Sequence, residues 1–150
     1  MKGYWRKPGQ TAEVMLPGGW LRTGDGGSFD ADGFLYLHDR LKDLIVSGGE
    51  NVYPAEVENV LMKHPDVADV AVVGVPDDRW GEAVKAVVVR REGSDITGEA
   101  LITFAREHLA GYKLPKSVDF TDALPRNPSG KLLKREIRAP YWEGSERSIN

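Results

Sequence analysis

The 150-residue chain contains no cysteine. That excludes disulfide staples, thiolate nucleophiles, iron–sulfur clusters and cysteine-based zinc sites, and it fits a reducing compartment. An excess of positive charge is missing too. Lys and Arg number 20 against 23 Asp and Glu, a net charge of −3, which argues against wholesale nucleic-acid or polyanion binding. No apolar run approaches the roughly 18 residues that a bilayer span needs. The opening Met1-Lys2-Gly3-Tyr4-Trp5 lacks the apolar stretch of a secretory signal, so a soluble cytoplasmic domain is expected. The three histidines, His38, His64 and His108, have no metal-ligand spacing, and no Ser-His-Asp set can be assembled; no metal site is expected in this chain. What remains is globular in character: 41% hydrophobic residues, with four Trp.

The pattern along the chain predicts an α+β fold: a small mixed sheet with helices packed on it, preceded by a β-hairpin and a hinge region. Residues 1–19 carry Pro8, Gly9, Pro17, Gly18 and Gly19 and are expected to be irregular. Residues 20–47 read as strands and turns, with 20–23 a short strand and Gly24 to Gly27 a turn. Phe29 and the run Phe34 to Leu37 flank Asp30-Ala31-Asp32-Gly33, a hairpin signal. Calcium binding by the two aspartates is disfavoured, because Gly33 follows Asp32 directly where an EF-hand needs a further ligand. Pro54 opens a helix over 54–63, with Val57, Val60 and Leu61 on one stripe. Valine-rich strands follow at 67–75 and 83–89, the second interrupted by Lys85. Thr97 caps a helix through Leu109, 118–121 is a strand, and a short helix over 132–138 ends before Pro140.

Three stretches could carry chemistry. Leu124-Pro125-Arg126-Asn127-Pro128-Ser129-Gly130-Lys131 is a loop with a lysine at its tip. From 126 to 138 five basic residues face one acid, Glu136, a local excess that suits an anion; a solvated basic chain end is the plainer reading. It is not a Walker A loop, since Pro125 and Leu132 stand where that motif needs Gly and Ser or Thr. Asp25, Asp39, Arg40, Lys42 and Asp43 lie at strand ends, where a carboxylate could hold a vicinal diol and an Arg could donate to a ligand; they are equally consistent with surface turns. Ser47-Gly48-Gly49-Glu50-Asn51 reads as a side-chain-poor loop entering a helix, able to admit a ligand close to the backbone or to serve as a plain turn.

Taken together, Gly19-Trp20-Leu21-Arg22-Thr23-Gly24-Asp25, the run from Asp39-Arg40-Leu41-Lys42-Asp43 through Ser47-Gly48-Gly49-Glu50-Asn51 to Glu58, and Pro125 to Lys131 resemble the adenylate-forming enzymes, in particular the acyl-CoA synthetase (fatty-acid–CoA ligase) branch. The resemblance implies a two-step reaction. A carboxylic acid, of the fatty-acid class, attacks the α-phosphate of ATP to give acyl-adenylate and pyrophosphate, and the CoA thiol then displaces AMP. It implies that residues 1–40 are the tail end of a large N-terminal domain and 41–150 the C-terminal lid, which rotates between the two steps. By the same resemblance Asp25 binds the ribose hydroxyls and Arg40 contacts the nucleotide. Lys42 is the hinge, Gly48 and Gly49 admit the pantetheine arm of CoA, and Lys131 is the catalytic lysine of adenylation. Acetylation of Lys131 would remove its charge and is the implied off-switch. Magnesium is implied by ATP, with no ligands for it in this chain.

The family's Ser/Thr/Gly-rich phosphate loop and its long α/β region are not found here. The chain is therefore expected to need the N-terminal domain as its partner and to be inactive alone. The initial Met, inside a region continuous in the family, favours a cut over a natural start. Two alternatives stand beside this reading. One is a standalone non-catalytic binding module of the same fold. The other is a different adenylate-forming activity, loading a carrier-protein thiol or oxidising luciferin.

Overall fold

The computed structural model describes residues 1–144; residues 145–150, the last of the expected lid segment, lie outside the described residues. Proline at a first helical position starts α1 (Pro8–Val14), a helix where irregular backbone was expected. It buries no side chain. Thr11 braces it instead: its hydroxyl accepts from the Tyr4 N–H at 2.9 Å and donates to the Lys7 carbonyl at 2.8 Å. A 3₁₀ turn, Pro17–Gly19, follows. The stretch 20–23 is not a strand; among the described residues its only pairing is a bridge between Met15 and Leu21.

The expected hairpin forms from β1 (Asp25–Phe29) and β2 (Leu35–Arg40). Asp30 closes its turn, its Oδ1 accepting from the Asp32 N–H at 3.0 Å and the Phe34 N–H at 2.9 Å. That carboxylate is thus consumed by the turn, as an Asx residue's is. The turn expected at Gly24–Gly27 is displaced. Only Gly24 takes a positive φ, of 79°, and the strand begins at Asp25 with a register shift between Gly26 and Gly27. The glycines are absorbed by a bulge.

A 3₁₀ turn (Leu41–Asp43) leads into the main sheet. Its elements are β3 (Ile45–Ser47), β4 (Glu50–Val52), α2 (Pro54–Leu61), β5 (Val67–Asp77), β6 (Gly81–Arg90), α3 (Gly98–Arg106), β7 (Ser117–Phe120) and α4 (Lys134–Trp142). The path runs β4-β3-β6-β5, all antiparallel, while β7 pairs with β6 in parallel. This is the mixed sheet the sequence predicted. The β5–β6 ladder runs unbroken from Val70↔Val88 to Asp77↔Gly81. Because side chains alternate across a strand, Val70, Val72, Val84, Ala86 and Val88 face one core with α2 and α3. Ala71, Val73, Val75, Ala83 and Val87 face a second core with Ile137 of α4. Burial on both faces explains the unbroken valine runs.

Thr97 caps α3 as expected, accepting from the Ala100 N–H at 3.2 Å. The stretch Ser47–Asn51 takes the plainer of its two readings, a tight β3–β4 hairpin with Gly48 and Gly49 at its turn. One expectation fails here. Helix α4 does not stop before Pro140; Pro140 lies inside it. The ring's disruption is offset two residues on, where buried Trp142 donates its indole N–H to the Gly74 carbonyl at 3.0 Å.

Candidate functional site

The Lys131 loop is a short, closed excursion. Arg126 and Leu132 bridge as antiparallel neighbours, and the Leu133 N–H donates to the Pro125 carbonyl at 2.9 Å. Asn127-Pro128-Ser129-Gly130 turns the chain, with the Gly130 N–H on the Asn127 carbonyl at 2.9 Å and φ of 81° at Gly130. The Asn127 side chain fills the turn. Its Oδ1 accepts from the Ser129 N–H (3.0 Å), the Ser129 hydroxyl (2.8 Å) and the Lys131 N–H (2.9 Å). The Asn127 N–H also donates to the Lys131 carbonyl at 2.9 Å. Lys131 is exposed, and among the described residues its ammonium forms no salt bridge, unlike Lys85, Lys113 and Lys134. The backbone is fixed while the charge projects outward.

Asp25 and Arg40 are brought together. They are register partners on β1 and β2, and Arg40 Nε lies 2.9 Å from Asp25 Oδ1. Lys42 sits exposed in the 3₁₀ turn that joins the hairpin to the sheet. It borders a cleft of ≈ 460 Å³ with Asp43, Lys134, Arg135 and Arg138, so the segment after Lys131 faces the expected hinge. The hairpin is tied across that joint by the Ala55 N–H on Asp39 Oδ2 at 2.9 Å and by His38 against Tyr53, 5.2 Å between ring centres.

Gly48 and Gly49 form the turn between β3 and β4. The Gly48 N–H donates to the Trp80 carbonyl at 2.9 Å, which pins the β3–β4 turn to the β5–β6 turn. Both glycines have positive φ, 61° and 88°. Trp80, which sequence reasoning missed, covers Gly48: a Cβ there would meet the indole at 2.6 Å. Lys116 Nζ stands 5.8 Å from the Trp80 ring centre, and Arg79 lies over the same ring at 4.7 Å. An isolated Trp beside Pro76-Asp77-Asp78 gave no signal of this, because the contact is made only by the hairpin pairing.

Helix α4 is locked to the sheet by a polar cluster. Lys85 Nζ donates to Asp119 Oδ1 at 2.9 Å, the Tyr141 hydroxyl donates to Asp119 Oδ2 at 2.6 Å, and Lys85 also lies over the Tyr141 ring. Burial works against the charged form of Asp119. The hydrogen bonds from Tyr141 and Lys85 outweigh it and hold the carboxyl below its ordinary value. Burial, then the bond to Asp119, pushes Tyr141 up to about 12. The interrupting Lys85 of the strand pattern is thus a half-buried ion-pair partner. On the other face Lys113 Nζ meets both Glu56 oxygens at 2.6 and 2.7 Å, which raises the lysine's pKa.

Among the described residues no group of three or more His, Asp or Glu side chains could hold a metal ion. No helix of the described residues is long and apolar enough to cross a membrane.

An exposed lysine on a braced turn, a paired Asp and Arg, and a glycine turn pinned to Trp80 are the candidate functional features of the chain. Residues 56–131 match the family described as the AMP-binding enzyme C-terminal domain, and the chain belongs to that family. It is 59% identical over 141 residues to a feruloyl-CoA synthase of an Amycolatopsis species, covering 94% of this chain and 28% of that protein. It is 51% identical over 150 residues to the fatty acid–[acyl-carrier-protein] ligase ScoC of Streptomyces coeruleorubidus, all of this chain and 29% of that one. Among solved structures, the o-succinylbenzoate CoA synthetase MenE of Bacillus subtilis, complexed with its acyl-adenylate intermediate, superposes with a TM-score of 0.85 at 41% identity, covering all of this chain and 29% of that chain. The chain therefore spans less than a third of the length of the relatives it matches.

Proposed function

We propose that this chain is the lid of an acyl-CoA synthetase: it closes over a nucleotide and acyl site held by a large N-terminal domain. It presents Lys131 for acyl-adenylate formation from a carboxylic acid and ATP, then swings to present Gly48 and Gly49 for attack by CoA. Residues 1–40 are the end of the large domain, 41–150 the lid, and Lys42 the hinge between them. The acid is taken to be of the fatty-acid class on the family resemblance, and the location to be the cytoplasm. The choice of acyl group within that scheme falls to the large domain, in keeping with the 59% identity of this chain to a feruloyl-CoA synthase.

One observation carries the reading. The Lys131 loop is anchored by Arg126 to Asp69, near the start of β5, while Gly48 is bonded to Trp80, just past the end of β5. Asp69 and Asp77 are eight steps apart along the strand. At ~3.3 Å per residue that sets the two sites on the order of 25 Å apart. Both cannot face one reacting phosphate at once, so a lid that uses both has to turn. The chemistry fits. Charge builds on the phosphoryl oxygens and the departing pyrophosphate during adenylation, and a compact mobile ammonium stabilises it. The same ammonium has to withdraw before CoA enters, and a glycine turn leaves room for a slender thiol arm. Asp25 is the acceptor for the ribose diol, and Arg40, its partner, is the donor nearby.

A chimera in which this chain replaces the matching part of the Amycolatopsis feruloyl-CoA synthase tests the assignment. Lys131→Ala is expected to lower ferulate-dependent ATP–pyrophosphate exchange by about 10²–10³ and to leave thioester formation from preformed feruloyl-adenylate unchanged. Gly49→Leu is expected to do the reverse. Equal losses in both half-reactions from either variant refute the two-faced lid. The 150-residue chain alone is expected to show no exchange, and robust exchange would refute its dependence on a large domain.

A second reading keeps adenylation but transfers the acyl group to a carrier-protein thiol. The match to ScoC over the whole chain favours it. Replacing CoA with a phosphopantetheinylated carrier protein in the chimera's thioester assay separates the two acceptors.

A further inference from the structure

The geometry points to Arg126 as a positioning residue for Lys131, acting through a strut to Asp69; we infer this on the reading of Lys131 given above. One guanidinium reaches two acceptors. Nη1 donates to the Gly130 carbonyl at 2.6 Å, and Nη2 donates to Asp69 Oδ2 at 2.6 Å. The first contact grips the residue immediately before Lys131. The second ends on β5, the strand buried on both faces.

The two restraints on the loop divide the work. Asn127 makes the tip internally stiff, holding both the N–H and the carbonyl of Lys131. All of those bonds lie within the tip, so they do not fix its direction. Beyond the neck at Arg126–Leu132 and Pro125–Leu133, among the described residues the Arg126 fork is the contact that ties the tip to the sheet. Without it the tip is free to swing as a unit about that neck.

Stability does not account for the pair. Its side chains are 41% and 28% exposed, and exposed ion pairs stabilise folds by little. A planar fork with two donors aimed at two fixed acceptors supplies direction, and a lysine at 126 would supply charge without the fork. Stabilising the charge that builds on the phosphoryl oxygens is sensitive to misplacement of the cation on the ångström scale.

The test uses the feruloyl chimera for rate and the 150-residue chain for motion. Lys131→Ala is measured first; if it leaves adenylation intact, the reading of Lys131 has failed and the strut with it. If it abolishes adenylation, Arg126→Lys and Asp69→Ala are each expected to lower the kcat of ATP–pyrophosphate exchange by about 10–100-fold. The KM for ATP and the thioester half-reaction should be unchanged. The double variant should lose no more than the worse single one, and Asp69→Glu should recover most of the rate. In the chain, Arg126→Lys should lower the ¹⁵N{¹H} NOE of residues 129–131 while that of residues 70–75 and the urea midpoint stay put. Full exchange activity in Arg126→Lys, or losses that multiply in the double variant, would overturn the strut while leaving Lys131's role standing.

Discussion

At Gly48 a single methyl group would meet two obstacles. The backbone sits at φ 61°, which side chains other than glycine's rarely adopt, and a Cβ would lie 2.6 Å from Trp80 Cε3 and 3.0 Å from Cζ3. Gly48→Ala is therefore expected to destabilise the chain by more than about 1 kcal/mol, read as a lower urea midpoint with an unchanged slope. Adding Trp80→Ala should relieve the collision but not the backbone strain, so the double variant should recover only part of the loss. Full recovery would assign the whole cost to the indole. The glycines themselves were legible as a turn that a ligand could approach. Trp80 was not, because no spacing in the sequence announces that residues 32 positions apart will touch. Lys131 was legible as a tip lysine. Its scaffold was only half so: Asn127 beside Pro128 is turn chemistry, whereas the pairing of Arg126 with Asp69 depends on where β5 lies.

Helix α4 shows at the scale of an element how a short, proline-containing helix is held in place. Its hydrogen-bond ladder is broken at Pro140, and tertiary anchors on either strand take over: Tyr141 to Asp119 and Trp142 to Gly74. The tyrosine anchor titrates. Tyr141 is raised from 10.0 to about 12, so the folded state favours the neutral phenol. Its contribution is present in full below pH 10 and disappears as pH rises toward 12. For Asp119, held below 3.8, the contribution is present above that value and is lost as pH falls through the folded value. The stability difference between the native chain and Tyr141→Phe should then be flat from pH 6 to 9 and shrink between pH 10 and 12 in urea titrations. A difference that grows over that alkaline range would contradict the anchor.

The elements were read from sequence where burial dictates them. The valine runs of β5 and β6 are apolar because both faces are covered, and α2 and α3 carry the stripe that covers one. They were misread where local backbone chemistry decides. Helix α1 forms despite Gly9 through Thr11's two bonds, and β4 has one buried residue, Val52, in three. Pro140 is outvoted by packing.

At the scale of the molecule, burial is unevenly distributed among the described residues. The β1–β2 hairpin has no buried residue and presents Phe29, Phe34, Leu35, Tyr36 and Leu37 at 53–72% exposure. Two strands without a covered face are marginal in water, and contiguous exposed apolar side chains mark a surface meant for a partner. The central strands β5 and β6 of the main sheet are covered on both faces. The two parts are joined through the Asp39 and His38 contacts and the turn that carries Lys42. Native-state amide exchange of the 150-residue chain should separate them. Amides of β1 and β2 should exchange through local opening, far ahead of those of β5 and β6, which should exchange only on global unfolding. In the feruloyl chimera, where a large domain precedes the hairpin, the same β1 and β2 amides should gain protection while the β5 and β6 amides change little. Equal protection of hairpin and sheet in the isolated chain would mean that 1–40 is part of the lid's own cooperative unit. A hinge at Lys42 would then have no boundary to turn about.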